Sequence, residues 1–125
     1  DRVRYFLDNL IHYYVLDDGK LAISHAGLKE EYIGINSKRI SSFCMYGDTI
    51  PKEVDENGLP IRHRWAENYH GTTLIVYGHT IVREADWINN TVNIDTACVF
   101  GGKLTALRYP ELELISIKAH QEYCK

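Results

Sequence analysis

A chain of 125 residues fits one small domain and is long enough to bury a sizeable core. Hydrophobic residues at 45%, charged residues at 25%, nine Gly and three Pro exclude disorder, collagen-like repeats and low-complexity sequence. With 14 Lys and Arg against 17 Asp and Glu, the net charge of −3 leaves no basic excess to hold nucleic acid by phosphate neutralisation alone.

The chain opens on Asp1-Arg2-Val3-Arg4, without Met, and passes straight into a helical pattern, as a piece cut from a longer protein does. Val3, Phe6, Leu7, Leu10, Ile11 and Tyr14 recur at helical spacing and predict a stripe facing a core. A hairpin follows, with strands at Tyr13–Leu16 and Leu21–His25 around the turn Asp17-Asp18-Gly19-Lys20. Gly27 breaks the second strand after Ser24-His25-Ala26.

Residues 36–46 predict a second helix, capped by Asn36 or Ser37, burying Ile40, Phe43 and Cys44, and ended by Gly47. From Asp48 to Gly71, Pro51, Asn57-Gly58, Pro60 and many charges predict a long loop, with Trp65 and Tyr69 pinning a short helix inside it. Thr72–Tyr77 is a run of β-formers without alternation, which fits a strand buried on both faces and ending in Gly78-His79-Thr80. Thr91–Thr96, 103–109 and Leu112–Ile117 predict the remaining strands, with turns at Val99–Lys103 and Pro110-Glu111. Helices ahead of hairpins predict a layered α/β or α+β unit. No apolar run approaches the about 20 residues of a membrane span, and no targeting pattern opens the chain.

Cys44, Cys98 and Cys124 are odd in number, widely spaced and without CxxC. That spacing supports neither a disulfide framework nor a thiolate zinc site, and predicts thiols in a reducing, cytoplasmic compartment. His25 and His79 each close an apolar strand beside a glycine, Gly27 or Gly78. Two such strand ends side by side could chelate one cation through neutral imidazoles, or be hydrogen-bonded structural residues. Asp95, between Ile94 and Thr96, implies a cation, a donor cluster or an outward strand face. His12, His63, His70 and His120 read as surface residues, as do most of Lys38, Arg39, Arg62, Arg64 and Arg83, although each of these cations could meet a phosphate. The acids Asp48, Glu53, Asp55 and Glu56 read as solvent-exposed loop. Ser24 lacks a paired acid and base, so serine nucleophile chemistry has no support.

Three strings carry a resemblance: Ser24-His25-Ala26-Gly27, Tyr77-Gly78-His79-Thr80, and the run from Asn93-Ile94-Asp95-Thr96-Ala97-Cys98 through Gly101-Gly102-Lys103 to Leu107. In this order, with His25 and His79 54 residues apart and His79 and Asp95 16 apart, they resemble the calcineurin-like metallophosphoesterases. The phosphatase module of bacterial polynucleotide kinase–phosphatases is the nearer likeness. It extends to Ser37-Lys38-Arg39, Tyr46-Gly47-Asp48-Thr49, Gly58-Leu59-Pro60 and Leu107-Arg108-Tyr109-Pro110-Glu111, and covers nearly all of the chain.

The resemblance implies a two-metal hydrolase using two divalent ions, Mn or Ni, about 3.5–4 Å apart. His25 and His79 would ligate one of them, and Asp95 would support the site as an acceptor orienting a ligating histidine. Ile81 two positions after His79 departs from the wider family's GHxH motif and favours its protein-phosphatase-like branch. Ala97 replaces a more usual Gly.

The early DxH, GDxxDRG and GNHE or GNHD motifs are not in this sequence. They would supply the first metal's ligands, the bridging aspartate, a phosphate-binding arginine and a histidine acid. The expectation is therefore that residues 1–125 are the C-terminal half of a metallophosphoesterase domain, one face of a β-sandwich with at least two flanking helices packed on it, and inactive in isolation. The parent would remove 2′,3′-cyclic or 3′-phosphates from RNA ends. The alternatives are a stand-alone serine/threonine-protein-phosphatase-like or diadenosine tetraphosphate hydrolase, and a non-catalytic interaction module of the same fold. Expected partners are RNA ends or a small phosphoester and the remaining half of the domain. A bared sandwich face would also favour a homo-oligomer; no membrane partner is expected.

Overall fold

The computed structural model describes residues 1–124. Its elements are α1 (Arg2–Asp8), β1 (Tyr13–Leu16), β2 (Leu21–Ser24), α2 (Lys38–Tyr46), β3 (Thr49–Val54), β4 (Pro60–Arg62), β5 (Leu74–Tyr77), β6 (Trp87–Ile88), β7 (Thr91–Asn93), β8 (Lys103–Arg108) and β9 (Glu113–Lys118). Five strands form one mixed sheet in the order β1-β2-β5-β7-β6, while β3–β4 and β8–β9 are separate hairpins. This is the layered α+β class expected. Among the described residues no helix is long and apolar enough to cross a membrane.

The three central strands β2, β5 and β7 run parallel, and their registers align Ile23 with Val76 and Val76 with Val92. Parallel strands are buried on both faces, which is why β5 is an unbroken apolar run with every residue buried. Ile75 and Tyr77 point to a layer made by Leu28, Ile40, Phe43, Cys44 and Trp65. Leu74 and Val76 point the other way, with Leu21 and Val92, toward Leu107, Tyr109 and Leu114 of the β8–β9 hairpin and its turn. The sheet thus lies between α2 with its aromatic layer and a two-stranded hairpin.

Helix α2 forms as its sequence predicts. Ser37 Oγ accepts the Ile40 N–H at 3.3 Å, and Gly47, at φ 77°, ends the helix by donating its N–H to Phe43 O at 2.8 Å.

Other expectations need correction. The first helical stripe does not face a core: α1 stops at Asp8, Tyr14 belongs to β1, and Val3, Phe6, Leu7, Leu10 and Ile11 are exposed. Only α2 of the two helices packs on the sheet, so the expected pair of packed helices is reduced to one. The supposed loop from Asp48 to Gly71 contains the β3–β4 hairpin. Its turn closes as Asp55 Oδ1 accepts the N–H groups of Asn57 and Leu59, both at 2.9 Å, with Gly58 at φ 78°. Prolines at 51 and 60 masked these strands, although Asn57-Gly58 is a hairpin signal. The short β6 was also missed; Asn89, at φ 52°, turns it directly into β7.

Candidate functional site

The C-terminal ends of the three parallel strands lie side by side, the edge where open α/β sheets bind ligands. His25 directly follows β2, His79 follows β5 by two residues, and Asp95 follows β7 by two. Main-chain bonds lock this edge: Gly78 N–H donates to His25 O at 2.8 Å, and Ile94 N–H to Tyr77 O at 2.9 Å. A Cβ on Gly78 would meet Asp95 Cβ at 3.1 Å, so the glycine allows the third strand end to close up.

His25 Nε2 and His79 Nδ1 face each other at 3.0 Å, with ring centroids 4.8 Å apart and planes tilted by 55°. On the other side of the His79 ring, Arg62 Nη2 lies 3.2 Å from Nε2. A guanidinium only donates. His79 Nε2 therefore accepts, its single proton sits on Nδ1, and that N–H donates to His25 Nε2. His25 in turn carries its proton on Nδ1. Desolvation lowers the His79 pKa below its ordinary value, and the neighbouring His25 and the Arg62 charge push it the same way, while Asp95 pulls it back up. The ring is thus held neutral, the form that a metal ligand needs.

Arg62, one of five cations expected mostly on a solvated face although able to meet a phosphate, lies against the histidine pair. Nε donates to Tyr46 O at 2.7 Å and Nη1 to Pro60 O at 3.2 Å, fixing the guanidinium plane so that Nη2 points at His79. Among the described residues it makes no ion pair. No signal in the sequence marked it, because the β3–β4 hairpin that delivers it was itself read as loop. Arg64 pairs with Glu67 at 2.8 Å, and Lys38, Arg39 and Arg83 are exposed. His12, His63, His70 and His120 are exposed too, as expected, whereas Asp48 is half-buried rather than solvent-facing.

Asp95 bonds no imidazole ring directly. Its Oδ2 accepts the backbone N–H of His79 at 3.1 Å and its Oδ1 that of Ala97 at 3.3 Å, so the expected acceptor role passes through the main chain. Ser24 Oγ is occupied in shaping the turn after β2, donating to Gly27 O at 2.7 Å. A Cβ on Gly27 would come within 2.7 Å of the Trp65 indole nitrogen, which donates to Ala26 O at 3.3 Å; the small residue there is a packing requirement.

The donor set fits part of a divalent-metal site. Two cis ligands at about 2.0–2.1 Å from one cation stand about 2.9 Å apart at a right angle, and the facing nitrogens are at 3.0 Å. Among the described residues no third His, Cys, Asp or Glu joins them, so this chain offers two corners of such a site.

No family model matches the chain. It is 53% identical over 116 residues to the bis(5′-nucleosyl)-tetraphosphatase PrpE (asymmetrical) of Anoxybacillus flavithermus strain DSM 21510 / WK1, covering 93% of this chain and 47% of that protein. It is 52% identical over 111 residues to the protein of the same name from Geobacillus sp. strain WCH70, covering 89% and 45%. The chain therefore spans about half the length of the curated relatives it matches. In structure it resembles a protein described as "a putative diadenosine tetraphosphatase", with a TM-score of 0.65 at 23% identity, covering 95% of this chain and 55% of the other, a likeness of fold. The names of these relatives favour the tetraphosphatase alternative over RNA-end repair.

Proposed function

We propose that this chain is the carboxy-terminal half of a metallophosphoesterase that hydrolyses dinucleoside polyphosphates of the bis(5′-nucleosyl) tetraphosphate type. The observation that carries the reading is the pair of imidazole nitrogens, His25 Nε2 and His79 Nδ1, facing each other at 3.0 Å on adjacent parallel strand ends. The substrate class is supported by the names of the relatives.

In this reading His25 and His79 hold one of two divalent cations, manganese or nickel, whose remaining ligands come from outside residues 1–125. Such a cation supplies Lewis acidity that polarises a phosphoryl oxygen and lowers the pKa of water. The chain's own residues have definite tasks. A His79 that coordinates through Nδ1 must carry its proton on Nε2, which then opposes the Arg62 N–H groups. Arg62, still anchored through Nε and Nη1, is left with Nη2 free to donate to a phosphate oxygen. Asp95 keeps His79 in place by its main chain. The exposed apolar faces of α1 and of Tyr14, Leu16 and Ile23 are where the rest of the domain would pack.

The test is turnover of bis(5′-adenosyl) tetraphosphate by the complete protein with added manganese or nickel. Either His25→Ala or His79→Ala should lower it at least about 100-fold and weaken manganese binding measured by electron paramagnetic resonance. A non-catalytic module predicts no manganese binding and no effect of either substitution. Turnover that survives both changes refutes the assignment.

A further inference from the structure

Beside the histidine pair lies a cavity of about 360 Å³ that the metal reading leaves unused. It is lined by the segment 62–66, from Arg62 to Ala66, by residues of the loop 80–88, and by Ala26, Gly47 and Asp48. Tyr77 and Asn93, the last residues of β5 and β7, close the sheet side. The volume lies within the about 300–1,000 Å³ usual for small-molecule sites. Because Arg62 belongs both to the cavity and to the His79 contact, and Thr80 follows His79, whatever fills the cavity is next to any phosphoryl group held there.

The lining combines three chemistries. Arg62, which contacts His79, and Arg64, paired with Glu67, line the cavity together with the acids Asp48 and Glu84, and Arg62 is the cation placed to meet a phosphate. Its apolar part is made by the largely buried Trp65 and Tyr77, whose rings are 4.7 Å apart, with Ile88 packed against the same cluster and the exposed Ile81 also lining the space. Asp86 also lines it; its Oδ1 accepts the Trp87 N–H at 2.8 Å, while Oδ2 has no partner within the described residues. The loop bearing it is tied down by Lys103 Nζ, which donates to both carboxylate oxygens of Glu84 at 2.5 and 2.7 Å. Phosphate, planar heterocycle and a vicinal diol are what these walls recognise: guanidinium for the first, aromatic and aliphatic faces for the second, a carboxylate for the third.

We propose that this cavity is a nucleoside subsite, in which the base lies against Trp65, Ile81 and Ile88 and the ribose hydroxyls donate to Asp86. The proposal rests on the phosphoesterase reading for its link to a polyphosphate, but its recognition of a nucleoside needs neither metal nor phosphate.

That independence sets the experiment. The chain has two tryptophans, so Trp87→Phe in the complete protein leaves Trp65 as the reporter among these residues; any tryptophan elsewhere in the protein is likewise changed to Phe. Adenosine, titrated without metal, should quench the Trp65 emission saturably, and inorganic phosphate should not. 2′,3′-Dideoxyadenosine should bind about tenfold more weakly, and Asp86→Asn should cost adenosine the same about tenfold while leaving the dideoxy compound unaffected. Hydrolysis of p-nitrophenyl phosphate by the unsubstituted protein with manganese is measured in parallel. If adenosine fails to bind while the phosphoester is hydrolysed, the subsite is wrong and the phosphoesterase reading stands. If adenosine binds with the diol dependence but nothing is hydrolysed, the subsite stands and the activity does not. Equal binding of adenosine and its dideoxy analogue overturns the assignment to Asp86.

Discussion

Asp95 grips His79 by its backbone rather than by its ring. The carboxylate Oδ2 accepts the His79 N–H at 3.1 Å, and Oδ1 accepts the Ala97 N–H at 3.3 Å. Both residues so held have left-handed backbone, His79 at φ 71° and Ala97 at φ 61°. For a residue with a Cβ this region costs about 1–2 kcal/mol, and it persists where the surroundings over-determine it. One carboxylate does that for two positions, and one of them aims an imidazole.

Asp95→Asn should therefore damage the fold and the site together. The amide keeps one acceptor but turns an N–H₂ toward the second backbone N–H, leaving that donor unpaired. A loss of about 1–3 kcal/mol is expected in chemical denaturation of the complete protein. Manganese affinity should fall as well, because His79 loses its aim. An unchanged denaturation midpoint would show that the carboxylate is incidental.

The sequence carried the strands that bury both faces and the helix whose caps are local. β5 is legible because a parallel central strand must be apolar throughout, and α2 because Ser37 and Gly47 sit at its ends. The placement of His25 and His79 at strand ends was legible for the same reason. What escaped depends on distant contacts. The apolar stripe of α1 has the right period but nothing among the described residues to face. Arg62 reaches His79 only because the β3–β4 hairpin folds back, and no local pattern reports that approach. The partner of the Asp95 carboxylate is likewise a backbone amide, which no residue type announces.

Ala97→Gly tests the strain argument from the opposite side. At φ 61° alanine bears a steric penalty that glycine does not, and the hydrogen bond its backbone N–H donates to Asp95 Oδ1 needs no side chain. The net gain, after the greater freedom of glycine in the unfolded chain, should be about 0.5–1 kcal/mol. Thermal denaturation of the two forms at one pH measures it; a lower melting temperature for the glycine form contradicts the strain.

Glu30 supplies a pH-dependent clamp far from the histidines. Its Oε1 accepts the N–H groups of Thr73 and Thr72 at 2.9 and 3.0 Å and the Thr72 hydroxyl at 2.9 Å, while the Thr73 hydroxyl donates to Gly19 O at 2.7 Å, stitching the segment before α2 to the start of β5. The Thr73 backbone bond leads these in lowering the carboxyl pKa below its ordinary 4.5. As pH falls below that value the unfolded chain takes up the proton first. The stabilisation is present above 4.5 and is lost as pH falls through the lowered folded value. Glu30→Gln should be less stable than the parent at neutral pH, with the difference closing as the pH falls through the lowered folded value. A constant difference across the range would mean that the charge contributes nothing.

His79 should titrate below the ordinary histidine value of 6.5, chiefly because it is desolvated, then because His25 and Arg62 oppose a positive ring. Above 6.5 the residue is neutral in both folded and unfolded chains. Between 6.5 and the lowered folded value only the unfolded chain gains a proton, so stability declines as the pH falls through this window. Arg62→Met removes one of the opposing charges and the donor to Nε2, and should move the His79 midpoint upward. Nitrogen-15 spectra of the metal-free protein read both midpoint and tautomer. They should place the neutral proton on Nδ1 in the parent and release that preference in the variant. A parent midpoint at or above 6.5, or a proton on Nε2 in the parent, would break the hydrogen-bond chain from Arg62 through His79 to His25.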